Sequence, residues 1–385
     1  MEESLILKKG KNKISLRLVD LPEVQVEAAQ RSFERKEPFR MRDHVVKHGF
    51  CMWSIELFRP EAFQTINKRA LEMKPDLEWM VEGKYGIFVH FSPVSYASYG
   101  ETLLKDQYQE MVNLFDVKAF ADTIAETGAS WVCFTTTHGA QYWPGPSETH
   151  DRIIPGRTCE RDLIRELIDA LGEHDIRLML YYGLNYKDSA WTKAAGMHEP
   201  NSSKYYNNLE SLFREMSLRY GEDLVSTAGY IDGSGWTLYQ FDPPWELLYK
   251  AIKAGNPNAP AGFSQNWGPR VSPFSDLQMT DGRGKKPLPA PAFMFREKGQ
   301  FEGLQPAYWG HIDEWIRFKP YNGTFPDDPL YSTEEYIELF RIMDEADIPV
   351  TMNMLITSDV TGERPFFNPE CVEIMRQVRK VIKGN

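Results

Sequence analysis

The chain has 385 residues and a formal net charge of −11 at neutral pH, from 55 Asp and Glu against 44 Lys and Arg. That acidic balance argues against a nucleic-acid surface, which carries a basic excess, and 42% hydrophobic against 26% charged residues excludes a disordered chain. No run of 18 apolar residues offers a membrane-spanning helix, and Cys51, Cys133, Cys159 and Cys371 are too scattered for a zinc knuckle or a disulfide framework.

The opening stretch, MEESLILKKGKNKISLRLVDLPEV, lacks the apolar centre of a signal peptide. The expected location is cytoplasmic unless an export signal has been removed, in which case it is periplasmic or secreted. Residues 4–19 alternate like a half-buried strand pair around the turn KKGKNK. Two strands alone are marginal in water, so they must dock elsewhere. Residues 1–80 read as an N-terminal extension of strands and helical or extended surface segments, and residues 81–385 as the main body.

From residue 83 the pattern becomes regular. GKYGIFVHFS (83–92) is strand-like, VKAFADTIAETG (117–128) has helical spacing with a glycine stop, and WVCFTTTH (131–138) is strand-like again. RDLIRELIDALGEHD (161–175) is an amphipathic helix and RLMLYYGL (177–184) a strand. A long helix (203–221) precedes AGYIDG (228–233), and a helix at 244–257 precedes APAGFSQNW (259–267). Strands at 274–282 and 307–313, a helix at 332–347, a strand at 350–357 and a closing helix at 368–383 complete the series. Eight short apolar strands alternating with helices predict a parallel sheet and a (β/α)8 TIM-like barrel. An open doubly wound sheet is the alternative, but the glycine-rich phosphate turn expected after its first strand is missing from HFSPVSYASYG.

A barrel of this kind carries its active site at the C-terminal ends of its strands. Those ends hold His90, then Thr137-His138, then Tyr181 and Tyr182, then Asp232, then Asn266-Trp267 with Arg270 beyond, then Asp281. The seventh run carries Trp309, His311, Asp313 and Glu314, and the eighth contains Asn353. Each has an ordinary structural explanation: a satisfied histidine, a core tyrosine, a polar plug, an aspartate capping a turn. One of the adjacent tyrosines must face away from the other. Together they place carboxylates, imidazoles, a guanidinium and indoles on one face, which suits a hydroxyl-rich ligand and two carboxylates in acid–base or nucleophilic roles. A carboxylate closing the apolar run of GYIDGSGW is costly to bury without a partner or a task. Metal chemistry is disfavoured, because GIFVHF carries a single histidine and no HxxEH motif occurs. No cofactor is expected, nor any nucleic-acid or membrane partner.

Five ordered segments, KYGIFVHFSPVSYASYGE, FTTTHGAQYW, RDLIRELIDALGEHDIRLMLYYG, LRYGEDLVSTAGYIDGSGW and VTMNMLITSDVTGERPF, resemble the α-L-fucosidases of glycoside hydrolase family 29 over about residues 80–383. The resemblance implies an exo-acting retaining glycoside hydrolase on a fucoside or a related, decorated sugar. It makes Asp232 the nucleophile and Asp281 the nearest match to the acid/base, with Glu314, Asp313 and Glu297 as alternatives. It makes His90 and His138 binders of sugar hydroxyls, with Tyr181 or Tyr182, Trp143, Trp236, Trp267 and Arg270 lining the pocket. The chain departs from the family where a second histidine and an Asp-Gly pair are replaced by Gly139 and Ala140-Gln141, where Asp281 is one methylene shorter than the usual Glu, and in ending on the last barrel helix instead of a β-sandwich. A catalytically silent carbohydrate-binding relative, or a metal-dependent hydrolase or lyase on a barrel, are the competing readings.

Overall fold

The computed structural model describes residues 60–91, 105–138, 140–183, 188–197, 203–221, 228–232, 244–264, 272–281, 303–313, 328–357 and 360–384. The chain divides into two compact units, Met1–Glu56 and Leu57–Asn385. The first, with the expected strand pair at 4–19, lies outside the described residues.

In the second unit every predicted strand is present: β1 (Tyr85–Val89), β2 (Trp131–Thr137), β3 (Arg177–Gly183), β4 (Ala228–Asp232), β5 (Ala261–Ser264), β6 (Leu277–Asp281), β7 (Gln305–His311) and β8 (Val350–Asn353). The helices among the described residues are α1 (Pro60–Leu71), α2 (Glu78–Gly83), α3 (Lys105–Leu114), α4 (Val117–Thr127), α5 (Glu148–Ile153), α6 (Leu163–Gly172), α7 (Ser189–Ala195), α8 (Ser203–Tyr220), α9 (Trp245–Ile252), α10 (Thr333–Glu345) and α11 (Pro369–Ile382). Their ends follow local chemistry. Asp116 accepts the Ala119 amide at 2.9 Å to open α4, and Gly128, at φ 74°, closes it. Ser332 and Glu335 form a reciprocal capping box at α10.

All strand pairings are parallel, in the order β5-β4-β3-β2-β1-β8-β7-β6. Helices cover one face, so β1 and β2 are buried at every residue. Side chains alternate between two apolar clusters. Ile87, Val89, Val132, Phe134, Leu178, Leu180 and Tyr182 join the large one beneath the helices. Phe88, Trp131, Cys133, Met179, Tyr181, Leu277 and Trp309 form the smaller one on the opposite, inner face.

The sheet is curled around that inner cluster. β3 and β7 are four strand spacings apart in the order, roughly 19 Å in a flat sheet, yet the rings of Tyr181 and Trp309 lie 6.3 Å apart and stacked. One glycine enables part of this packing. Trp131 of β2 reaches over β1 to donate to Thr351 Oγ1 of β8 at 3.1 Å. A Cβ on Gly86 would come 2.3 Å from Trp131 Nε1, so a side chain there would block the crossing.

β5 and β6 stand at opposite ends of this order, and Asp276, just before β6, links them. Its amide donates to Ala261 O at 2.7 Å, and its Oδ2 accepts the Ala261 amide at 2.7 Å. Tyr249 OH donates to its Oδ1 at 2.5 Å, and the ammonium groups of Lys253 and Lys74 lie 2.9 and 3.7 Å from its oxygens. Burial pulls both lysines below their usual pKa, Lys74 to about 8, against the opposing pull of Asp276.

Candidate active site

β1 ends beside His90, which is 2% exposed. Its Nδ1 and Asn353 Oδ1, from β8, are 2.8 Å apart. An amide oxygen only accepts, so Nδ1 carries the proton, and Nε2 of the neutral ring is the acceptor. Phe88, two residues earlier on the same face, packs against His90 at 4.0 Å and Trp309 at 4.4 Å between ring centroids. Asn353 is thus more than a polar plug in the sheet: it fixes the tautomer and orientation of His90.

β2 brings in His138 through an irregularity. The β2–β3 ladder pairs Thr135 with Tyr181 and Thr137 with Tyr182, so Thr136 is an extra residue. Such a bulge shifts the alternation by one position. Without it, His138 would fall on the helix-covered face with Val132 and Phe134. With it, the imidazole reaches the inner face, stacks on Tyr181 at 5.9 Å and stands edge-on to His90 at 5.5 Å. Thr136 Oγ1 donates to Tyr181 O at 2.9 Å and so holds the bulge in place.

The tyrosine pair separates as alternation demands. Tyr181 lies inside with Phe88, His90, His138 and Trp309. Tyr182 lies outside, edge-on to Phe213 of α8 at 5.4 Å, and burial raises its phenol pKa well above normal. Trp143 shares that outer layer, 6.3 Å from Tyr182 and 6.5 Å from His150. The expectation that Tyr182 and Trp143 line the pocket is therefore corrected: both belong to the packing between sheet and helices. Asp313, an alternative acid, is also committed elsewhere. Its carboxylate accepts the Leu355 amide at 3.1 and 3.3 Å and the Cys371 thiol, from α11, at 3.6 Å.

The two candidate carboxylates are placed by strand register. Gly183, two residues beyond Tyr181, shares its face, and Asp232 is the residue beside Gly183 in β4. Asp281 is the residue beside the inner-face Trp309 in the β6–β7 ladder. The fourth and sixth strands thus end on Asp232 and Asp281 at the edge that carries His90 and His138. Trp236, Trp267, Arg270, Glu297 and Glu314 lie outside the described residues, as does Gly139.

Sequence reasoning missed Phe88 and Gln141. Phe88 was legible, being two positions before His90 on a strand. Gln141 was not, because a glutamine four residues past a strand reads as a solvated loop residue. It is fully buried: Nε2 donates to Gly183 O at 2.7 Å, its amide donates to Asp188 Oδ2 at 3.0 Å, and its carbonyl accepts from His150 Nε2 at 2.8 Å. Asp188 also holds Arg157 and accepts the Trp191 amide at the start of α7. Among the described residues no group of three His, Cys, Asp or Glu side chains is arranged to hold a metal ion.

With this geometry in place, comparisons with known proteins point one way. A model of the α-L-fucosidase family matches residues 105–294. A tissue α-L-fucosidase from Bos taurus is 24% identical over 197 residues, 42% of this chain and 40% of the relative. The match thus spans about two fifths of that relative's length. Two solved structures share the fold. One is an α-L-fucosidase isoenzyme 1 from Paenibacillus thiaminolyticus, at TM-score 0.56 and 15% identity over 82% of this chain and 76% of that one. The other is a GH29 α-L-fucosidase from Bacteroides thetaiotaomicron with a trapped covalent intermediate, at TM-score 0.51 and 13% identity over 86% and 76% of the two chains.

Proposed function

We propose that the chain belongs to the α-L-fucosidase family, whose model matches residues 105–294, and that it is an exo-acting retaining glycoside hydrolase whose substrate is an α-L-fucoside or a related sugar. The observation that carries the reading is the register of the two strand ends. Asp232 and Asp281 each stand beside a position on the inner face, where His90, His138 and Tyr181 already cluster.

The reading includes a closed (β/α)8 barrel. The paired hydrogen bonds between Asp276 and Ala261 support closure between β5 and β6. Closure sets Asp232 and Asp281 two strands apart, roughly 10 Å between backbones. A retaining mechanism needs its two carboxyl groups ~5–5.5 Å apart, a separation that side chains on strand ends this far apart can reach. Asp232 attacks the anomeric carbon while Asp281 gives its proton to the departing glycosidic oxygen, and the C–O bond breaks. Water then attacks the same carbon and gives a proton to Asp281. The bond to Asp232 breaks, and the sugar leaves with its original configuration. His90, with Nδ1 engaged by Asn353, offers Nε2 to a sugar hydroxyl. His138 and Tyr181 form the adjoining wall, with Trp236, Trp267 and Arg270 as further contacts. Gly139 leaves volume where the family places an imidazole, which favours a decorated sugar over a simple aryl fucoside.

A panel of aryl glycosides, simple and decorated, tests the activity. Turnover of an α-L-fucoside or a decorated relative is expected, and none across the panel refutes the hydrolase reading in favour of a silent binder. Asp232→Gly is expected to abolish turnover, and added azide to restore release of the aryl group, giving a glycosyl azide of inverted configuration. Near-wild-type kcat in that variant would remove Asp232 from the mechanism.

A further inference from the structure

We propose that Gln141 is a positioning residue that sets the spacing between the His138 imidazole and the strand end carrying Asp232. The proposal rests on the retaining-hydrolase reading for its catalytic consequence, and on geometry for the clamp itself.

Gln141 bonds to three pieces of chain at once. Its side-chain amide donates to Gly183 O, the last residue of β3. Thr137 Oγ1, at the end of β2, donates to the same oxygen at 3.3 Å. Its own backbone is held on both sides, by Asp188 at the start of α7 and by His150 within α5. A carbonyl facing another carbonyl would repel it, so the side-chain orientation that places Nε2 on Gly183 O is set by chemistry.

What the clamp grips is the meeting point of the site. Gly183 approaches β2 so closely that a Cβ there would lie 2.7 Å from Thr137 O and 3.1 Å from His138 Cα. On its other side Gly183 is the ladder partner of Asp232. The end of β3 is therefore the spacer between the residue bearing the imidazole and the residue bearing the carboxylate. The bulge at Thr136 takes β2 out of simple register just before this point, so the ladder alone does not fix the spacing. Gln141 supplies the missing constraint, from a position where the family pattern has a glycine and no side chain to give. An error near 1 Å in such a spacing costs on the order of 100-fold in rate.

The test uses the full-length protein with Gln141→Met, which keeps the length and loses the donor, and Gln141→Glu, which donates only while protonated. Both are compared with wild type on the best substrate of the panel, at a temperature where all are folded. Gln141→Met is expected to lower kcat by about 10- to 100-fold with a smaller change in KM. Gln141→Glu is expected to keep activity at acidic pH and lose it as pH rises through the pKa of the new carboxyl, a limb that wild type lacks. Amide hydrogen exchange on peptides covering β3 and β4 reads the clamp independently of turnover. Faster exchange there in Gln141→Met, with remote strands unchanged, is expected. Unchanged exchange overturns the proposal whether or not the wild type is an active hydrolase. Faster exchange with unaltered kcat overturns the positioning role. An inactive wild type refutes the hydrolase reading and with it the catalytic consequence.

Discussion

Replacing Asp276 by alanine removes one carboxylate that answers two buried ammonium groups, a phenol and a backbone amide. The Asp276 side chain is fully buried, and those of Lys253 and Lys74 are 4% and 11% exposed. After the change Lys253 keeps Ala259 O at 2.7 Å, and Lys74 keeps Pro273 O at 2.9 Å and Ser275 O. Neither keeps a counter-charge in this group. Breaking a buried ion pair from one side costs about 3–5 kcal/mol, and the orphaned Ala261 amide falls within that range or slightly adds to it. Against a typical total of about 5–15 kcal/mol, that is about a fifth of the fold's stability or more. Urea unfolding followed by tryptophan fluorescence reads the loss. Asp276→Asn, which keeps an acceptor but not the charge, should lose less. The lysines add a pH signature. Lys74 has a folded pKa of about 8, below its ordinary 10.5, so between those values the unfolded chain binds more protons. Stability from this group is therefore lowest below pH 8 and recovers as pH rises towards 10.5, by about 3 kcal/mol in full. Comparing wild type with Lys74→Met isolates that slope. An Asp276→Ala protein within 1 kcal/mol of wild type would refute the view of this cluster as the tie between β5 and β6.

Two further outcomes follow from the layers around the site. His150 is fully buried and burial lowers its pKa to about 4; the unfolded ring, near 6.5, takes up a proton first, so stability should fall by about 3 kcal/mol as pH drops from 6.5 to 4. His150→Gln, which keeps a donor and does not titrate, should flatten that acid limb in Tm, and an unchanged limb would assign it to other groups. Tyr182→Phe should leave kcat/KM within about twofold of wild type, whereas Tyr181→Ala should lower it at least tenfold, the worth of about 1.4 kcal/mol; equal effects in steady-state assays would contradict the assignment of the two rings to opposite faces.

Strands such as β1, β2 and β3 were legible because they are buried on both faces and read as apolar runs, as in GIFV, WVCF and LMLYY. Their helices were legible where three turns or more repeat the apolar spacing, as in 161–175. The helix α3 and the short helices α5 and α7 were not; in the short ones, six or seven residues hold too little of that period. The strand-end rule located His90 and His138, and strict alternation divided Tyr181 from Tyr182; the same rule, applied two positions before His90, would have found Phe88. Alternation failed at one place. Counted straight from Trp131, an inner-face residue, it sends His138 outward, and only the extra residue at Thr136 returns it to the site. Bulges of this kind are settled by the neighbouring strand, here by Thr136 Oγ1 finding Tyr181 O, and no local composition announces them. The same holds for Trp143 and Asp313. Each sits near a strand end in sequence, but the partners that turn it away, Tyr182 and His150 for one and Leu355 and Cys371 for the other, come from distant segments. The replacement of a family glycine by Gln141 gains its meaning in that light. Read along the chain, it is the loss of a motif. Across the sheet, it is a new hydrogen bond to Gly183 O, and it ties the bulged strand to the neighbour whose other side meets Asp232. On the hydrolase reading proposed above, that bond braces the frame shared by His138 and the strand end carrying Asp232.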